Sequence, residues 1–251
     1  MSITLYGIHP VTEALRKRPH DVHRVILARR HNDPALQDIR ALCHQHQIKL
    51  EYEDHHAIDR RITGVHQGVL AEVAPFPLAH FEDIIQTSRR AHEKLFVLVL
   101  DAVQDPHNMG ALIRSAVCCG VQAVVFPKDR SAPLSPAVAK ASAGAIEHIS
   151  LCRVVNIAAT LNDLKRHGVW IVGTSPHAEQ TIYSFDFDRD VAVVVGGEGK
   201  GMRQLVAKTC DALVAIPLHG NCASLNAAAA GAVVMYEVLR QRQYENVSRK
   251  T

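Results

Sequence analysis

The chain has 251 residues, 47% of them hydrophobic, and carries 28 Lys and Arg against 25 Asp and Glu for a net charge of +3. That is enough apolar material for one large buried core, or for a small and a medium one. No apolar run approaches the about 18 residues of a membrane span, and MSITLYGIHP lacks the charged and apolar regions of a secretory signal, so the expected compartment is the cytoplasm.

Residues 1–75 alternate short helices with short strands. Helices are predicted over 8–17 and 34–46, and strands over 22–28, 48–52 and 69–73, which makes a small α/β domain. Arg16, Lys17, Arg18, Arg24, Arg29, Arg30 and His31 fall early, followed by Arg60 and Arg61. Such clustering permits a polyanionic partner, although the interspersed acids favour a merely solvated face. Cys43, His44, His46, His55 and His56 gather possible metal ligands. No second pair stands at zinc-ligand spacing, so no metal is expected. The six cysteines, Cys43, Cys118, Cys119, Cys152, Cys210 and Cys222, form no CxxC or regular framework, which excludes a disulfide scaffold.

Pro75-Phe76-Pro77 breaks the pattern, and residues 76–94 read as a linker with some helix. A second domain, 95–251, opens on LFVLVLD, a continuous apolar run of the kind buried on both faces of a parallel sheet. Further strands are predicted over 121–126, 170–174, 191–195 and 213–216, with helices over 108–119, 135–143, 157–167 and 202–208. That alternation defines an open α/β sheet, in which ligands bind at the carboxyl ends of strands.

Three loops leave such strand ends. In LDAVQDPHNMGALIRSA, Asn108 is a candidate helix cap, while Arg114 has Gly110, Ala111, Val117 and Cys118 as helical neighbours. Its guanidinium must therefore find a carboxylate or an anion elsewhere. In VVVGGEGKGM, the nucleotide motifs fail, because Gly201 stands where a phosphate-binding loop needs Ser or Thr and the strand is not a first strand. The glycines instead let a ligand lie against bare backbone, and Glu198 is the carboxylate there to meet Arg114. In DALVAIPLHGNCASLNAAAAGAVVMYEVLR, Pro217 stops a strand, Gly220-Asn221 supplies a turn, and a helix opens at Ser224 with that residue as N-cap. Ala227 to Ala230 and Gly231 leave the helix start almost without side chains, as tight packing or close ligand approach requires.

These loops, quoted as DPHNMGALIRSA, GGEGKGM and IPLHGNCASLNAAAAGAV, resemble in identity, spacing and order the motifs of the SpoU/TrmH family of ribose 2′-O-methyltransferases. YGIHPV, GVHQGV, FPKDRSA and WIVGTS extend the resemblance to nearly the whole chain, toward the subgroup that methylates a guanosine in the peptidyl-tRNA-binding loop of 23S rRNA. The resemblance implies a SPOUT α/β domain with a mostly parallel sheet whose C-terminal segment forms a trefoil knot. It implies an N-terminal RNA-binding domain like ribosomal protein L30e, and a homodimer with a composite active site. S-adenosylmethionine would lie against Gly196, Ile216 and Leu225, with Thr174, Gly197 and Leu218 as neighbours. Asn108, Arg114, Glu198, Ser224 and Asn226 would form the catalytic set.

The residue matching Arg114 is held in the family to be a general base, yet a guanidinium with a pKa above about 12 is a poor one. Arg114 is expected instead to hold a neighbouring phosphate and stabilise alkoxide charge, oriented by Glu198, while Asn108, Ser224 and Asn226 hold the site and the ribose. Two departures from the family pattern, Gly197 where Ala is common and Ala227 to Ala230 for a Val/Ser mixture, are expected to widen the pocket. A tRNA target, or a non-catalytic RNA-binding scaffold, are the alternatives the motifs leave open.

Overall fold

The computed structural model describes residues 2–29, 34–220 and 223–248. Arg30, His31, Asn221 and Cys222 lie outside them. The elements in order are β1 (Ile3–Tyr6), α1 (Ile8–Lys17), β2 (Val22–Ala28), α2 (Ala35–Gln45), β3 (Lys49–Glu53), α3 (His55–Asp59), β4 (Val69–Val73) and α4 (Phe81–Ala91). There follow β5 (Phe96–Asp101), α5 (Pro106–Cys118), β6 (Ala123–Pro127), α6 (Pro136–Ala141), β7 (Ser150–Val154), α7 (Ile157–Arg166), β8 (Trp170–Thr174) and β9 (Gln180–Thr181). The chain continues through β10 (Val191–Gly196), α8 (Gln204–Thr209), β11 (Ala212–Ala215) and α9 (Ala227–Ser248).

The chain divides into two compact units. The first takes the chain up to Pro77 together with Pro133–His148, where the sequence reading places residues 1–75 alone. Its sheet runs β1-β4-β2-β3, with β4 antiparallel to β1 and β2, and β3 parallel to β2. Leu5, Val11, Leu15, Val25, Leu27, Leu36 and Ile39 are buried in this unit. The predicted helix over 8–17 and strands over 22–28 and 69–73 agree with α1, β2 and β4 to the residue. The strand β1 and the one-and-a-half-turn α3 were not foreseen, being too short to show a period.

Arg18 explains why the segment 133–148 belongs here. Its guanidinium is buried, donates to Glu147 Oε2 at 2.7 Å and Oε1 at 3.1 Å and to the Ala74 carbonyl at 2.8 Å, and stacks on Phe76. A doubly hydrogen-bonded pair of this kind fixes geometry as well as charge. Arg18 is thereby removed from the basic cluster. Arg16 pairs with Glu13, Arg24 with Glu51 and Glu72, and Arg61 with Glu53.

The second unit contains a seven-stranded sheet ordered β7-β6-β5-β10-β8-β11-β9, in which every neighbouring pair is parallel. The two outermost strands, β7 and β9, are the two that the sequence reading missed. β5, β6 and β10 are buried along their whole lengths, as their unbroken Val, Leu and Ala runs require. Residues 76–94 contain α4, whose Ile85 enters the core beside Leu95, Val97 and Ile157. Helix α7 shows clean punctuation, with Asn156 accepting the Ala159 N–H and Lys165-Arg166 in the last turn. No helix of the described residues is long and apolar enough to cross a membrane.

Removing Glu147 leaves the buried Arg18 guanidinium with only Asp21, at 3.6 Å, among the described residues to offset its charge. Glu147→Ala is expected to destabilise the first unit by about 3 kcal/mol, read as a lower urea midpoint at unchanged slope.

Candidate active site

The site is set by the central pair of the second sheet. β5 and β10 run in parallel with Asp101 opposite Gly196, so both strands end at the same level. The loops after β8, β10 and β11, with the start of α9, surround a cavity of about 370 Å³. Thr174, Gly196, Gly197, Ile216, Leu218 and Leu225, the six residues named for cofactor contact, all line it. Glu198, Ser224 and Asn226 line it too.

Bare backbone is what brings these loops together. A Cβ at Gly196 would overlap the Met202 amide nitrogen and the Gly201 carbonyl carbon. A Cβ at Gly197 would meet the carbonyl of Ala102, itself held at φ +63° in the left-handed region. Gly197 therefore serves this close backbone approach, which corrects the expectation that its smallness widens the pocket. At the far side, Gly231 of α9 rests on Leu112 of α5 and Val195 of β10. The bareness of the helix start is thus packing at Gly231, while Ala227 and Ala230 face the cavity.

Asn108 is not the cap of α5. Asp105 is: its side chain accepts the His107 N–H at 2.9 Å, and Pro106 occupies the first turn, where a missing N–H costs nothing. Asn108 lies three residues after the cap, buried, and is free to bridge. Its Nδ2 donates to Glu198 Oε1, and its Oδ1 accepts from Asn226 Nδ2 at 3.0 Å. Asn226 in turn caps α9, accepting the N–H groups of Ala228 at 2.8 Å and Ala229 at 3.2 Å. The cap predicted at Ser224 is therefore misplaced by two residues, and the helix opens at Ala227. Ser224 keeps its place on the cavity wall.

The expected pairing of Glu198 with Arg114 is not made. Glu198 bonds Asn108, whereas Arg114 is exposed on α5 and has no hydrogen-bond or ion-pair partner among the described residues. Three of the five residues named as catalytic, Asn108, Glu198 and Asn226, thus form one chain of side-chain contacts. Sequence reasoning overlooked Asp101. It is fully buried at the end of β5, and its carboxylate accepts two hydrogen bonds from Arg203, with which it also forms an ion pair. The signal was legible as an acidic residue closing an apolar strand, since a buried charge needs a partner.

The glycines and the apolar walls Ile216, Leu218 and Leu225 suit a ligand held by main chain and hydrophobic contact, with polar groups confined to one side. Metal chemistry has one candidate group among the described residues, far along the chain in the first unit. His55, Asp59 and His66 place ligand atoms within 4.8 Å of one another. Their hydrogen bonds argue against a metal: His66 Nδ1 accepts the Gly68 N–H at 3.0 Å, so the proton sits on Nε2, which donates to Asp59 at 2.8 Å. The earlier candidate Cys43 is buried, and burial pushes its thiol up to about 11.

Comparison with known proteins identifies the family. Residues 95–236 match the model of the SpoU rRNA Methylase family, and residues 4–79 match that of the RNA 2′-O ribose methyltransferase substrate-binding domain. The chain belongs to the SpoU rRNA methylase family. It is 41% identical over 238 residues to the 23S rRNA (guanosine-2′-O-)-methyltransferase RlmB of Pseudomonas syringae pv. tomato, covering 95% of each chain. It is 39% identical to the putative TrmH family tRNA/rRNA methyltransferase YacO of Bacillus subtilis, over 94% of each. The fold matches the SpoU methyltransferase AviRb of Streptomyces viridochromogenes, solved in complex with AdoMet, with a TM-score of 0.79 at 23% identity over 96% of this chain and 90% of that one.

Gly196 has backbone on the side where a methyl would go. Gly196→Ala is expected to abolish binding of S-adenosylmethionine in isothermal titration, with the circular dichroism of the first unit's elements retained.

Proposed function

We propose that the chain catalyses S-adenosylmethionine-dependent methylation of a guanosine ribose 2′-hydroxyl in the peptidyl-tRNA-binding loop of 23S rRNA. The observation that carries this reading is the chain Glu198–Asn108–Asn226 on the rim of a glycine-lined cavity. It joins a polar reaction side to a cofactor-shaped apolar side. Relatives named for that reaction span 95% of the chain at 40–41% identity, which supports the choice of substrate.

S-adenosylmethionine supplies an electrophilic sulfonium methyl when bound. Thr174, Gly196, Gly197, Ile216, Leu218 and Leu225 would hold it. The protein has then to align the 2′-hydroxyl in line with that methyl and to remove its proton. Glu198 is the carboxylate among the described residues of the cavity wall, and it is the group able to accept that proton. Asn108 fixes Glu198 and, through Asn226, ties it to the start of α9. Ser224 and Asn226 face the ribose. Arg114, unpaired and exposed, takes the neighbouring phosphate and offsets the developing alkoxide charge. In the first unit, Lys17, Arg29 and Arg60 remain exposed and contribute to RNA binding.

The domain assignment follows the same reading. An L30e-like domain over residues 1–75, completed in its compact unit by Pro133–His148, binds the substrate RNA; α4, within residues 76–94, packs with the second unit, and the methyltransferase is built from residues 95–251 outside that inserted segment, with its C-terminal segment in a trefoil knot. The seating of Gly231 between Leu112 and Val195 supports a chain end drawn tightly into the fold. A homodimer with a composite site is supported by the outer face of α9. There Tyr236 is 52% and Val233 37% exposed, beside Tyr183 at 61%, around a hollow of about 420 Å³. The enzyme works in the cytoplasm.

Mapping of 2′-O-methyl groups in cells with and without the gene is expected to show loss of one guanosine methyl in 23S rRNA. Loss confined to tRNA would replace the substrate, and no loss at all would leave a non-catalytic scaffold. Arg114→Lys, which keeps the charge but not the planar fork, is expected to lower kcat by about 10²-fold with cofactor affinity unchanged. Glu198→Gln keeps the shape but removes the proton acceptor, and is expected to lower kcat by about 10²-fold or more with cofactor affinity unchanged.

A further inference from the structure

We infer that Asp101 is a positioning residue that holds the glycine loop after β10 in its ligand-accepting shape, and that it acts through Arg203. The inference rests on the cofactor pocket proposed above. Asp101 fastens the loop at both ends. Its main-chain carbonyl accepts the Gly197 N–H at 2.8 Å where the loop begins. Its carboxylate holds Arg203 where the loop ends: Oδ2 accepts the Arg203 main-chain N–H at 2.7 Å, Oδ1 accepts the Nε N–H at 2.7 Å, and Nη2 lies 2.6 Å from Oδ1 in the ion pair.

Between these two points the loop closes on itself. Gly201 N–H donates to the Gly197 carbonyl at 3.0 Å, and the two residues form an isolated antiparallel bridge. Glycines at 199 and 201 adopt φ of +75° and +63°, conformations with little intrinsic cost for glycine and therefore little intrinsic preference. Nothing in such a sequence selects one loop shape over others. The selection has to come from the ends.

Asp101 is suited to supply it. It is fully buried, so its charge is tolerable only while Arg203 stays in place. The side chain of Arg203 is 40% exposed and lies outside the cavity-lining set. Any effect of Arg203 on ligand affinity therefore passes through the loop, whose residues 196–199 and 201 form part of the cavity wall.

The test is Arg203→Ala in the full-length chain, with S-adenosylmethionine titrated calorimetrically and turnover measured on unmethylated 23S rRNA. The variant is expected to raise Kd and KM for S-adenosylmethionine about tenfold, with kcat at saturating cofactor within about twofold of the parent. Arg203→Lys keeps the main-chain N–H and one donor and is expected to fall between the two. It also serves if Arg203→Ala fails to fold. A lower melting temperature with unchanged Kd and KM would reduce the pair to a structural ion pair and overturn the inference, as would a loss confined to kcat. A parent chain that binds no S-adenosylmethionine would instead overturn the pocket assignment, and the inference with it.

Discussion

The parallel pairing of β5 with β10 is the constraint on which the site depends. Because Gly196 stands opposite Asp101, two chain segments about 95 residues apart in sequence leave the sheet side by side. Their loops must then share one small volume. Gly196 and Gly197 make that possible by presenting no side chain to the Met202 and Ala102 backbones. What remains on the loops is a short polar set, and it meets: Glu198 from one, Asn108 from the other, Asn226 from the loop after β11. The chemistry is thus a by-product of register, with side-chain choice deciding only what is presented at a junction already fixed.

The same geometry separates two kinds of polar residue. Asp101, Asn108 and Asn226 have their hydrogen bonds satisfied within the protein and therefore set shape. Arg114 is satisfied by nothing within the described chain. An exposed guanidinium on a helix face of small residues retains its hydration until an anion displaces it.

Much of this was legible in the residues. The continuous apolar runs of β5 and β10 announced a doubly covered parallel sheet, and the three polar loops at strand ends announced the site. The failures have physical causes. Asp105-Pro106 is a stronger helix start than Asn108, and Asn226 outcompetes Ser224 as cap because its carbonyl reaches two backbone N–H groups. Glu198 was matched to Arg114 on charge alone, whereas loop geometry sets it on a neutral amide. Edge strands β7 and β9 have too few residues, or too mixed a pattern, to declare themselves. Arg18 read as one more surface cation because nothing near it in sequence signals Glu147, 129 residues away.

That distant partner has a consequence for biosynthesis. The first unit draws Pro133–His148 into its structure, although more than fifty residues of the second unit's chain intervene. During translation the N-terminal segment therefore emerges, forms its sheet, and still holds Arg18 with its acidic partner unsynthesised. Its native state becomes available only after residue 148 has left the ribosome. The two units are interleaved along the sequence, so the first cannot be completed before part of the second has been synthesised.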